Sequence, residues 1–135
     1  MSVVFIDSGA LLARYHETDQ YHEEGMRLWS KLQKERRICI TSNFVLNETF
    51  TLLARRAGYR FTAERARAVY LSEKLTNLRT TQDDEVEALN FFEKYADQDI
   101  GFTDCLSFVL MRKRHVQTVF SFDRHFTLAG FQLWS

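Results

Sequence analysis

Two rhythms of apolar and polar positions run along this chain. Short, nearly continuous apolar runs alternate with longer stretches whose apolar residues recur at helical spacing. Val3 to Ile6 reads as a first strand, and Ser8 to Ala13 as a short helix or turn. Tyr21 to Lys34 places Met26, Leu28, Trp29 and Leu32 on a helical face. Ile38-Cys39-Ile40 reads as a second strand. Ser42 can cap a helix running to about Arg56, with Gly58 as its stop. Thr62 can cap a further helix to about Leu75, and Leu78 to Thr80 reads as an edge strand. Thr81 can cap a helix to about Tyr95, and Thr103 one to about Lys113. Thr118 to Phe122 is a fourth strand and Gln132 to Trp134 a fifth.

Strands alternating with helices argue for an α/β fold with a central, mostly parallel sheet of four to five strands flanked by helices. Right-handed crossovers then place any ligand beyond the carboxyl ends of the strands, where the strand order reverses. Residues just after the strands, and at the helix starts beside them, are the ones to inspect.

Composition narrows the class. With 135 residues, 45% hydrophobic and 27% charged, with five Gly and no Pro, the chain reads as one globular domain over 1–135. No apolar run approaches the ~20 residues of a membrane helix. The start, Met1 to Asp7, has no basic region and is broken by an acid, unlike a secretory leader. Cys39 and Cys105 lie among apolar neighbours and read as reduced core thiols, which suits a cytoplasmic protein. Eighteen basic residues balance eighteen acidic ones. A phosphate-rich partner would therefore have to be met by a local patch, since affinity follows local Lys and Arg contacts.

Four acids stand out. Asp7 ends the first strand, and the bland alternative is a helix N-cap. Glu48 has Phe44, Val45 and Leu52 as helical neighbours, so a carboxylate sits on or beside an apolar stripe. An unpaired buried carboxylate costs several kcal/mol, so Glu48 needs an arginine, backbone donors or a metal. Asp104 opens a helix, where the dipole alone would favour it by ~0.3–1 kcal/mol. Asp123 follows the fourth strand, where turn aspartates are common. Singly, Asp104 and Asp123 are ordinary. Jointly, all four point to one end of the sheet. At an effective dielectric of ~20, two carboxylates ~4 Å apart repel by roughly 4 kcal/mol. A divalent cation would relieve that repulsion. The donors are hard oxygens, and His16, His22, His115 and His125 read as isolated surface or loop residues. Mg²⁺ or Mn²⁺ is therefore expected rather than Zn²⁺. Mg²⁺ commonly takes a substrate phosphate as a further partner, which points to phosphodiester chemistry.

Four segments carry a family resemblance. Phe5-Ile6-Asp7-Ser8-Gly9-Ala10-Leu11-Leu12 resembles the opening motif of PIN domains. Thr41 to Thr49 resembles the second motif, Phe102 to Phe108 the third, and Phe120 to Phe126 the fourth, with Ala129-Gly130-Phe131 closing the match. The likeness runs in order through essentially the whole chain. At this length it looks most like the VapC-type toxins of toxin–antitoxin pairs. The resemblance implies a three-layer PIN-like sandwich and a metal-dependent endoribonuclease, dimeric and restrained by a small antitoxin. It makes Asp7, Glu48, Asp104 and Asp123 the metal-binding, catalytic acids. Ser8, Thr103 and Asp99 stand as supporting candidates.

Single-stranded RNA favours arginine interleaved with aromatics. Ala54 to Ala68 holds Arg55, Arg56 and Arg60 with Tyr59 and Phe61, and Arg112 and Arg124 are further candidates. The plainer reading of each cluster is a solvated helix face. Two other readings of the chain stay open: a PIN-like RNA-binding or scaffold domain without catalysis, and a house-keeping ribonuclease. A dehalogenase-type phosphatase would need an acid where Gly9 stands. A receiver domain would need a late-strand lysine where Arg124 stands.

Overall fold

A computed structural model describes residues 2–135. The first half holds β1 (Val3–Ile6), α1 (Ser8–Tyr15), α2 (His22–Lys34), β2 (Ile38–Ser42), α3 (Asn43–Ala57) and α4 (Tyr59–Leu71). The second half holds β3 (Leu75–Leu78), α5 (Gln82–Lys94), α6 (Phe102–Lys113), β4 (Thr118–Phe120), α7 (His125–Leu128) and β5 (Gln132–Leu133). The five strands form one sheet in the order β3-β2-β1-β4-β5, and every pairing is parallel. The chain builds outward from β1 to β3, then returns to lay β4 on the other side of β1. That reversal puts the topological switch between β1 and β4, as expected for the ligand-binding end of such sheets.

The core strands are apolar on both faces because helices cover them. Val4, Phe5 and Ile6 of β1 are fully buried, as are Val119 and Phe120 of β4. Phe108 of α6 stands edge-on to Phe126, with ring centroids 5.2 Å apart, and stacks on Phe131 at 5.7 Å. Each fully buried Phe contributes on the order of 1.5–3 kcal/mol of transfer free energy. Gly25 lets α1 and α2 touch, because a β-carbon there would lie 2.7 Å from the Ala13 β-carbon. Cys39 and Cys105 are both buried and unbridged. No helix among the described residues is long and apolar enough to cross a membrane.

Several element boundaries differ from the sequence reading, each for a local reason. Ser42 caps α3 by accepting from the Val45 amide at 3.2 Å, and Thr81 forms a full capping box with Asp84, as expected. Thr62 and Thr103 do not cap. Gly58, at φ +102°, turns the chain directly from α3 into α4, and the Thr62 hydroxyl donates back to the Gly58 carbonyl from inside the helix. Gly101 likewise starts α6, leaving Thr103 within its first turn. The third strand lies at Leu75–Leu78 rather than at Leu78 to Thr80, because the register with β2 pairs Cys39 with Leu75 and Ser42 with Leu78. The Thr80 amide has already left the ladder and donates to Asn43 Oδ1. β4 stops at Phe120, and the segment after it forms α7, a single short helix that the sequence pattern did not announce.

Candidate active site

Strand β1 delivers Asp7 to the carboxyl edge of the sheet. Its amide donates to the Phe120 carbonyl at 3.1 Å, which extends the β1–β4 ladder by one bond and fixes the Asp7 backbone. The side chain is only 4% exposed. Ser121, next along from Phe120, donates its hydroxyl to Asp7 Oδ2 at 2.8 Å. The other oxygen, Oδ1, is buried and has no protein partner. Asp7 occupies the N-cap position of α1, yet its carboxylate makes no cap bond. The N-cap alternative therefore does not explain the residue.

Three further carboxylates line the same cavity of about 350 Å³, together with Ser8, Thr103 and His125. Glu48 enters from α3, and its Oε1 accepts the Ser8 hydroxyl at 2.7 Å. Asp104 comes from the first turn of α6, where the helix dipole favours an anion. Asp123 follows β4; its amide donates to Ser121 Oγ at 3.0 Å, and its Oδ1 accepts the His125 amide at 2.9 Å. Among the described residues no Lys or Arg pairs with any of the four acids. Among the described residues the only cationic candidate within 4.0 Å is His125, whose Nδ1 stands 3.0 Å from Asp104 Oδ2 and 3.1 Å from Asp123 Oδ1.

The electrostatics follow from this. Burial raises the Asp7 carboxyl, and Asp104 and Glu48 raise it further against the Ser121 and Ser8 hydrogen bonds, so it reaches about 8. Asp104 is raised to about 6, first by burial, then by Asp123 and Glu48, while His125 pulls it down. Burial leads both shifts, and among the described residues neither acid has a Lys or Arg beside it to offset them. Ligand-capable atoms of Asp104, Asp123 and His125 lie within 4.8 Å of one another. Asp7 lines the same cavity and its Oδ1 is buried without a partner among the described residues, and the carboxylate oxygens gathered here fit a hard divalent cation.

The structure thus gathers Asp7, Ser8, Glu48, Thr103, Asp104 and Asp123, as the sequence reading expected. It leaves Asp99 outside: that residue is exposed, has φ +57°, and borders a separate depression beside Phe92 and Tyr95. Of the arginines, Arg124 stands between Asp123 and His125 in sequence and is exposed. Arg112 lies at the far end of α6 from Asp104 and packs over the Phe91 ring. Arg55 and Arg56 sit about two turns beyond Glu48 on α3, Arg56 lies 3.8 Å from Asp19, and Arg60 is exposed on the first turn of α4. Two site residues escaped the sequence reading. His125 is no isolated surface histidine, as its carboxylate contacts show. Ser121 holds Asp7 and Asp123 together. The available signal was polar residues within two positions of Asp123 at a buried strand end.

Known proteins resemble this chain in sequence and fold. The PIN-domain family model matches residues 4–132. The chain belongs to the PIN-domain family. This PIN domain is 35% identical, over 96% of its length and 95% of the relative's, to the 23S rRNA-specific endonuclease VapC20 of Mycobacterium tuberculosis. The crystal structure of that VapC20, described as a sarcin–ricin-loop-cleaving toxin, superposes with a TM-score of 0.86 at 33% identity, covering 95% of both chains. Two more distant structures share the fold. VapBC2 of Rickettsia felis, bound to a promoter DNA fragment, has a TM-score of 0.67 at 11% identity, covering 97% of this chain and 96% of the other. FitAcB of Neisseria gonorrhoeae has 0.67 at 12% identity, with 98% and 97% covered.

Proposed function

We propose that this PIN domain is a metal-dependent endoribonuclease and the toxin of a toxin–antitoxin pair, with the sarcin–ricin loop of 23S rRNA as its substrate. The observation that carries the catalytic reading is the set of four acids that have no Lys or Arg partner among the described residues, with a buried, unpartnered oxygen on Asp7. Asp7, Glu48, Asp104 and Asp123 would hold Mg²⁺ or Mn²⁺. Such a cation, when bound, lowers the pKa of an attacking water and neutralises charge at the scissile phosphate. The chain's own residues prepare the site for it. Ser8 holds Glu48 in one orientation, Ser121 fixes one oxygen of Asp7 while the other stays buried without a partner, and Thr103 lines the same cavity.

The substrate assignment rests on the likeness to VapC20 over nearly the whole of both chains. RNA would be met by exposed arginines, Arg124 beside the acids and Arg55, Arg56, Arg60 and Arg112 further out. A chain of zero net charge gives such binding no diffuse electrostatic help. A small cognate antitoxin, a homodimeric state and a cytoplasmic location complete the reading. Exposed Tyr59, Tyr70, Leu71, Val86 and Leu89 supply apolar surface for those protein contacts.

The test uses the purified full chain and a sarcin–ricin-loop oligonucleotide, with Mg²⁺, Mn²⁺ or EDTA. Cleavage at one position with metal, and none with EDTA, is the expected result. Intact oligonucleotide and intact 23S rRNA under all conditions would overturn the reading.

A further inference from the structure

Resting on that metal-dependent reading, we propose that His125 is a positioning residue of the cation site: its ring ties Asp104 and Asp123, from two separate elements, into one orientation. Two acidic oxygens face the same ring nitrogen, Asp104 Oδ2 at 3.0 Å and Asp123 Oδ1 at 3.1 Å. Both are acceptors, so their arrangement selects the tautomer that carries its proton on Nδ1. The His125 amide donates to the same Asp123 oxygen at 2.9 Å. Every hydrogen bond this residue makes to another side chain goes to an acid of the cleft.

The placement is specified twice. Phe126, the next residue, is fully buried and stands edge-on to Phe108, one helical turn below Asp104 on α6. The apolar pair docks α7 on α6, and the polar pair beside it repeats the same contact at the rim of the cavity. α7 is four residues long and the Arg124 side chain at its N-cap makes no capping bond, so its position comes from these anchors. Without the ring, Asp104 and Asp123 would repel each other with nothing between them. Nδ1 hydrogen-bonds Asp104 Oδ2 and stands 3.1 Å from Asp123 Oδ1, and all three residues line the cavity shared with Asp7. Outer partners of metal-binding groups act in this way, and losing one commonly weakens metal affinity about 10–100-fold.

The experiment is calorimetric titration of the metal-stripped full chain with Mn²⁺, comparing wild type, His125→Ala and His125→Asn, with Asp104→Asn as the reference for a damaged site. Asparagine can place an amide N–H close to where Nδ1 stands. His125→Ala should weaken Mn²⁺ binding about tenfold or more. His125→Asn should recover most of that loss, which a mere space-filling role would not produce. Melting in EDTA checks that both variants are folded, and Phe126 keeps α7 docked in each. Mn²⁺ affinity within twofold of wild type for His125→Ala would overturn the proposal. So would His125→Asn being no better than alanine, which would mean that the ring and not its N–H donor matters. Wild-type protein that shows no saturable Mn²⁺ binding would instead overturn the metal-dependent reading, and this inference with it.

Discussion

Asp84 and Asp7 are the same residue type at nearly the same burial, 6% and 4% exposed, yet the fold treats them in opposite ways. Asp84 sits in the first turn of α5. It accepts from Lys113 Nζ and from the Thr81 amide, and its own amide donates to the Thr81 hydroxyl. Burial pushes its carboxyl up, but Lys113 and the Thr81 bonds outweigh that and hold it below the ordinary range. Asp7 has hydrogen bonds from Ser121 and the Ser8 backbone, two acidic neighbours and, among the described residues, no cation beside it, and burial with those neighbours drives it upward. A structural acid brings its counter-charge within the fold. An acid left uncompensated at comparable burial costs stability, and it persists where an external cation completes the site. Lys113 and Asp104 lie at opposite ends of α6, so one helix joins the compensated acid to the uncompensated cluster.

The most severe way to break this contrast is Asp7→Asn. Cleavage of the sarcin–ricin oligonucleotide should fall to the level seen with EDTA, while circular dichroism stays that of a folded protein. Retained cleavage would remove Asp7 from the site. The next effect is on stability without metal. A carboxyl whose folded pKa is raised above its unfolded value keeps its proton longer in the folded state, so stability falls as pH rises through that interval. For Asp7 the interval runs from its ordinary 3.8 to about 8, and for Asp104 from 3.8 to about 6. The metal-stripped protein should therefore lose melting temperature between about pH 4 and 8, and Asp7→Asn should flatten the upper part of that slope. Added Mn²⁺ should bind more tightly as pH rises, since it competes with those protons. A flat melting profile over this range would show the acids to be compensated after all.

How much of this fold and site is legible in the sequence depends on the range of the determining contacts. Asp7 and Asp123 were legible because each follows an apolar run, and Glu48 because a carboxylate interrupts a helical apolar stripe. Ser42 and Thr81 were legible because capping is decided within three residues. Thr62 and Thr103 misled for the same reason. They carry the capping side chain, but a glycine nearby starts the helix first. The third strand was displaced because an edge strand takes its register from its neighbour, and no local pattern encodes that. His125 was invisible as a site residue because its partner on α6 lies 21 positions away and reaches it only through the Phe108–Phe126 packing.

The compensated acid offers the reciprocal test. Asp84→Asn removes the negative charge facing Lys113 and one of the two oxygens that serve Lys113 and the Thr81 amide, and should cost about 1–2 kcal/mol, a modest figure because Lys113 is half exposed and screened. Cleavage at a temperature where the variant remains folded should be unchanged. A loss of cleavage comparable to that of Asp7→Asn would mean that the two ends of α6 are not independent.

The smallest expected effect concerns the arginines and sharpens where RNA meets the cleft. Arg124 is exposed and adjoins Asp123, whereas Arg112 is held over Phe91 at the other end of α6. A cation beside the acids can take a phosphate next to the scissile one, so Arg124→Ala should weaken binding of a non-cleavable oligonucleotide and lower the salt dependence of binding by about one phosphate contact. Arg112→Ala should leave that slope within error, because twelve helical residues separate the two ends of α6, roughly 18 Å of axis. Equal losses from both variants would place the RNA along the length of α6 rather than at the cleft. In that case the basic surface, and not the acidic pocket, would set which part of the RNA is presented for cleavage.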